Sequence, residues 1–190
     1  IYDGPIDILD YEPVPVILEE IPGLTAGGLT FEPTTVQPGE VLVDSHGRVI
    51  SLSEGVSFLP SGCFDQACSI SYTGNDPIQV DQQIVHFKLR SGLTWSDGVP
   101  LTADDSQFSY ELAKSLFPRV RADLITRTQT YLALDDATVE WRGLPGYRTS
   151  SYTTAFFTPL PRHAWDGQSA DEMLHAENVG RKPLGWGAYQ

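Results

Sequence analysis

The stretch from Val85 to Ala113, VHFKLRSGLTWSDGVPLTADDSQFSYELA, constrains the fold of this chain more than any other. Val85, Phe87 and Leu89 alternate with His86, Lys88 and Arg90, so a strand with one buried face is expected. Ser91-Gly92 breaks that strand and Ser96-Asp97-Gly98 makes a second turn. Leu93 and Trp95 lie between the two reversals as a short apolar anchor. Pro100 sets the approach to a helix and Thr102 is its N-cap. Asp104 and Asp105 occupy the first turn, where the helix dipole favours negative charge. Phe108, Leu112 and Leu116 continue at helical spacing until Phe117-Pro118 stops the helix. The expected unit is a strand, an anchored bend and a helix over about Ala103–Leu116. Trp95 should be buried between strand and helix, as packing and not as a ligand platform.

Strands and helices do not alternate regularly elsewhere, so the expected class is α+β with antiparallel strands and a few short helices. Ile1 to Gly28 is held extended by Pro13, Pro15 and Pro22. Leu29-Thr30-Phe31 reads as a short strand. Val41–Val43 and Val49–Leu52 flank Asp44-Ser45-His46-Gly47-Arg48 as a hairpin with His46 solvated at its tip. Val80 to Arg90 is the longest strand, and the turn Gly74-Asn75-Asp76-Pro77 would pair it with Ser69–Tyr72. Tyr131–Leu134, a turn at Asp135-Asp136 and the strand Thr138–Trp141 follow. Ser151 to Phe157 fits helix or strand. Ser169 and Glu172 form a capping box for a helix over about Ala170–Glu177, with His175 late in it.

A chain of 190 residues has the length of one domain or of two small ones, and its 41% hydrophobic content is ample material for a core. A formal net charge of −13 argues against nucleic acid and against an anionic membrane surface. No apolar run is long enough to cross a bilayer. Chemistry finds no foothold. Asp104 and Asp105 are adjacent on a helix and point apart, so they cannot share a substrate. Asp135-Asp136 is a turn. No nucleophile elbow, phosphate loop or zinc-binding His-Glu-x-x-His occurs, and His46, His86, His163 and His175 are isolated from one another. The chain is expected not to be an enzyme, to hold no metal and to need no cofactor.

The segment from Phe87 to Asp105, FKLRSGLTWSDGVPLTADD, resembles the signature of the family 5 extracellular solute-binding proteins, the oligopeptide-, dipeptide- and nickel-type subunits of ABC importers. Further stretches agree in order. Leu134–Val139 is similar to the family's strand ending in Thr-Val. Pro161-Arg162-His163-Ala164-Trp165 resembles its Pro-Lys-His corner. Pro183-Leu184-Gly185-Trp186-Gly187-Ala188-Tyr189 resembles its Gly-rich return, with Trp186 where Thr is usual and Ala188 where Pro is usual.

The resemblance implies a subdomain of a two-lobed, periplasmic-binding-protein-like (type II) fold, with residues 1–190 excised as one piece from a longer exported protein. Neither a signal peptide nor an initial Met is present, and the chain stops at Gln190 where the family continues. The region 38–76, shorter in the family, is expected to be an insertion or elaborated hairpin. The implied function is capture of a peptide-like or other small solute for a membrane permease, by lobes that close on a hinge. The implied partners are that solute, the permease and the remaining lobes of a monomeric, secreted or lipid-anchored protein. Arg119, Arg121 and Trp186 are the ligand-binding candidates. For the arginines, which form the main basic cluster with Arg127, plain solvation at a helix end competes. For Cys63 and Cys68 three readings stand. A disulfide closing a short loop fits an exported protein. Free thiols are the second. Metal or redox chemistry is the third, although a metal would need two more ligands and redox pairs usually carry two intervening residues. A structural disulfide is the expectation. The rival to solute binding is a structural or protein-interaction module with no ligand site of its own.

Overall fold

The alternation around Val85 does produce the longest strand, and both sides of it are used. In the computed structural model of the chain, residues 4–169, 172–173 and 184–186 are described. In chain order, β1 (Ile6–Leu9) and β2 (Glu12–Pro15) form a hairpin, with Leu9 opposite Glu12. Its turn residues Asp10 and Tyr11 have φ of 51° and 68°. That left-handed pair usually needs Asn-Gly, which is why the proline-rich opening reads only as extended chain. The strand β3 (Leu29–Val36) runs on through Pro33, well past the short strand expected at Leu29–Phe31. It is tolerated because β3 is an edge strand, paired only with β8 (Ile78–Lys88).

Between these two strands lie β4 (Val41–Val43) with β5 (Val49–Ser51), and β6 (Ser57–Phe58) with β7 (Ile70–Ser71). The first hairpin is the expected one, with Gly47 at φ 79° and His46 exposed. The second corrects an expectation: Ile70 and Ser71 pair with β6, not with the long strand. Both sides of β8 are already taken by β3 and by β10 (Thr138–Gly143), so no edge was left for β7. The four-stranded antiparallel sheet closes with β9 (Thr128–Ala133) beyond β10. The class is α+β, as expected.

Helix α1 (Ala103–Ser115) lies against β9 and β10. Val85, Phe87, Leu89, Trp95, Tyr131 and Trp141 are the centre of the main core beneath it. Trp95 is 1% exposed. Asp105 explains why the bend and the helix arrive together. Its Oδ2 accepts from the Trp95 indole Nε1–H (3.0 Å) and from the Thr102 backbone N–H (3.0 Å). Its Oδ1 accepts from the Arg162 backbone N–H (3.0 Å). One buried carboxylate thus ties the anchored bend, the start of α1 and the later corner at Arg162. Gly98, at φ 87°, turns the chain back so that its N–H meets the Trp95 carbonyl.

A helix the sequence did not announce, α2 (Ala122–Arg127), follows α1. The ambiguous stretch is a 3-10 turn, Tyr152–Ala155, followed by extended chain. Helix α3 (Arg162–Trp165) forms the corner. Ser169 and Glu172 make the capping box, each backbone N–H donating to the other's side chain. Glu172 and Met173 are helical, and the rest of the expected helix, with His175, lies outside the described residues.

A second core, built from Leu42, Leu52, Val56, Phe58, Tyr72 and Val80, fills the space between the two small hairpins and the far end of β3 and β8. Cys63 and Cys68 are joined by a disulfide in the loop between β6 and β7.

Candidate functional site

Arg121 begins α2 in a left-handed conformation, φ 46°, which turns its side chain back under the 3-10 turn. Its guanidinium donates to the Phe156 carbonyl (2.8 Å) and to the Thr154 carbonyl, and lies 4.4 Å from the centre of the Phe157 ring. Phe157 is itself fixed. Its N–H donates to the Tyr131 hydroxyl (2.9 Å), which bonds the Ser106 hydroxyl (2.6 Å) on α1. Burial pushes the Tyr131 phenol far above its usual range, so it stays neutral. Burial also lowers the Arg121 pKa, with a smaller opposing effect from Tyr131. Among the described residues, no carboxylate forms an ion pair with Arg121; both its hydrogen-bond partners are neutral carbonyls. It lines a cleft of about 640 Å³ with Ile6, Ile8, Ile21, Tyr152 and Thr154.

The expected basic cluster is not one cluster. Arg119, two residues away, lines a different cleft beside Phe117 and Gln168. Arg127 pairs with Asp123 (2.8 Å) and approaches the Tyr147 ring. Trp186 is elsewhere again, edge-on to Trp95 with ring centres 5.1 Å apart, and the neighbouring Gly185 carbonyl accepts from the Ser96 N–H. The turn at α2 separates Arg119 from Arg121, and sequence spacing alone could not show it.

The histidines have partners that sequence spacing does not reveal. His86 meets Glu140 across β8 and β10 (3.1 Å), and His163 meets Asp97 (2.8 Å). Its bond to His163 and the Val99 N–H hold the Asp97 carboxyl below its usual range. Among the described residues no group of three or more His, Cys, Asp or Glu side chains is placed to hold a metal ion.

A second cleft, of about 530 Å³, opens between the small hairpins and the sheet. Its centre is Arg148, which sequence reading passed over. Nη2 pairs with Asp81 Oδ2 (2.8 Å), Nη1 donates to the Cys63 carbonyl, and the guanidinium lies 4.2 Å from the Phe64 ring centre. Asp81 also accepts from the Ser61 hydroxyl (2.6 Å) and the Gly62 N–H (3.1 Å). The available signal was Asp81-Gln82-Gln83, three consecutive polar residues that break the alternation of the longest strand. All three are buried, and Gln83 exchanges two hydrogen bonds with the Thr149 backbone.

Comparison with known proteins gives three findings. The family model described as bacterial extracellular solute-binding proteins, family 5 (middle), matches residues 76–190. No curated protein matches the chain. Solved structures do. The oligopeptide-binding protein of Thermus thermophilus, complexed with a pentapeptide, is 19% identical over 93% of this chain and 22% of its own, with a TM-score of 0.53, and shares the fold. The ABC transporter substrate-binding protein CtaP of Listeria monocytogenes is 28% identical over 56% of this chain and 22% of its own, with a TM-score of 0.47. NikZ of Campylobacter jejuni, in complex with Ni(L-His), is 18% identical over 82% and 27%, with a TM-score of 0.46. The chain therefore spans 22% to 27% of the length of these three. No helix among the described residues is long and apolar enough to cross a membrane.

Proposed function

Because the chain belongs to the bacterial extracellular solute-binding proteins of family 5, we propose that it is part of the extracytoplasmic solute-binding component of an ABC importer. It helps to capture a peptide-like or other small solute for delivery to a membrane permease. The match over residues 76–190 carries this reading. Residues 1–190 act as one subdomain of a longer, monomeric protein, secreted or lipid-anchored, whose other lobes supply the rest of the site. The region 38–76 is an elaboration of that subdomain; its own core supports this. The role is binding, without catalysis. Relatives solved with a pentapeptide and with a nickel–histidine complex indicate the range of solutes to try.

Arg121 is the strongest of the three proposed ligand contacts, ahead of Arg119 and Trp186. It is a half-buried cation whose hydrogen-bond partners among the described residues are neutral carbonyls, and a carboxylate such as a peptide terminus is the group it would bind best. Calorimetric titration of the full-length protein with short peptides and with nickel–histidine should give saturable binding. Arg121→Ala should then weaken binding of the anionic solute by about tenfold or more. If the full-length protein binds no member of either class, the solute-binding reading fails. If it binds but Arg121→Ala changes nothing, the assignment of Arg121 fails alone.

A further inference from the structure

We propose that the cleft around Arg148 is a second ligand site, which takes a small uncharged molecule with a planar apolar body and an oxygen acceptor. The walls come from the sheet, from the β4–β5 hairpin, from the disulfide loop and from the stretch after β10 that carries Arg148. Leu29, Phe31 and Gln83 belong to β3 and β8, whereas Phe64 and Gln66 belong to the disulfide loop. At about 530 Å³ it lies within the roughly 300–1,000 Å³ usual for small-molecule pockets.

The outer wall is held in place before any ligand arrives. The disulfide closes the loop, Arg148 grips the Cys63 carbonyl, Asp81 grips Ser61 and Gly62, and the Gln66 amide donates to the Ser45 carbonyl. Phe64 nevertheless remains 64% exposed at the rim, edge-on to Phe31. An exposed aromatic ring on a loop with this many ties is a prepared surface more than a failure of packing.

The charges define the ligand class. Asp44, on the wall, has its oxygens filled by the His46 and Arg48 backbone N–H groups and the Arg48 side chain. Asp81 is closed by Arg148, Ser61 and Gly62. An ionic ligand would meet no free counter-charge and would lose its hydration without compensation. Among the described residues Arg148 Nε is enclosed and has no acceptor, so a carbonyl or ether oxygen on the ligand has one donor to seek at the cost of a small shift of the wall around it. This cleft shares Ser150 and Tyr152 with the Arg121 cleft, so the two sites are neighbours.

Coumarin, an uncharged planar lactone, is a suitable probe for fluorescence titration of the full-length protein. One saturable site is expected, with affinity reduced at least about tenfold by Phe64→Ser and by reduction of the disulfide. Coumarin carboxylate should bind at least about tenfold more weakly than coumarin. Phe64 is an exposed residue, so an unchanged melting temperature in the variant separates loss of the site from loss of the fold. The proposal is overturned by absence of saturable coumarin binding, by an equal affinity in folded Phe64→Ser, or by tighter binding of the carboxylate. An equal loss in Arg121→Ala would place coumarin in the neighbouring cleft and overturn it as well. None of these results touches the solute-binding reading, which rests on the peptide and nickel–histidine titrations.

Discussion

The core under α1 and the smaller core between β4 and β7 differ in what holds them. The main core joins segments far apart in the chain: Trp141 is paired with Val85, and Val85 with Leu29. It encloses Phe87, Trp95, Tyr131 and Trp141, each at most 1% exposed, so apolar burial alone supplies a large stabilisation. Most of the smaller core comes from residues 42–72, whose own strands are only two or three residues long, closed by Val36, Ile78 and Val80 at the ends of β3 and β8. Such ribbons are marginal in water. The structure compensates with discrete ties: the Cys63–Cys68 disulfide, the Asp44 turn and the Asp81–Arg148 pair. Where a core is too small to hold itself, stapling and buried polar contacts take over.

If that contrast is right, the largest effect belongs to the main core. Trp95→Ala should cost about 3–5 kcal/mol by chemical denaturation, because the ring is enclosed and its indole N–H bonds Asp105. Hydrogen exchange at residues 41–72 should change less than exchange across β8 to β10; uniform loss would mean that the two cores unfold as one unit. Arg148→Met comes next, at about 3 kcal/mol, since it leaves Asp81 buried beside only Ser61 and Gly62. Its exchange signature should be the reverse, concentrated at residues 57–72. Replacing both cysteines by serine should cost about 2 kcal/mol in the chain-entropy model for so short a loop. Faster proteolytic nicking between Ser61 and Ser69, with the main core intact, is the expected readout.

The smallest effect is acid sensitivity of the first hairpin. Burial alone would raise the Asp44 carboxyl, but hydrogen bonds from Arg48 and His46 outweigh it and hold the carboxyl below its usual range. A depressed folded pKa contributes stability that is fully present above the unfolded value of about 3.9. That stability is lost as pH falls through the folded value. Exchange protection at Val43 and Arg48 should therefore persist from neutrality to about pH 4 and decline below it, and Asp44→Asn should flatten the dependence.

The main core was far more legible in the sequence than the small one. Period-two alternation from Val85, the Gly98 turn and the Thr102–Asp105 helix start are local signals, and each formed, although the strand stops at Lys88, short of the expected Arg90. The hairpin at Val41–Ser51 and the cystine were equally local. What escaped depends on partners remote in sequence or on rare backbone angles. Ile70-Ser71 found β6 because β8 was already flanked. The β1–β2 turn uses Asp10-Tyr11 in place of glycine. Arg119 and Arg121 look like one basic patch until a left-handed residue sends them into different clefts. Arg148 carries no motif; only its contacts with Asp81, Cys63 and Phe64, many residues upstream, identify it.

Pro33 in β3 has a bearing on how copies of this chain would meet one another. A sheet has two open sides, and here they are unequal. On the β3 side Pro33 lacks an N–H and Glu32 adds charge, so that side is a poor template for another strand. On the β9 side there is no proline, and Leu132 and the adjoining Leu134 are 45% and 52% exposed. Self-association of the chain through this four-stranded sheet, strand against strand, is therefore favoured on the β9 side. A pair formed on that side would leave the proline-bearing edges of this sheet outermost, which disfavours further growth through it.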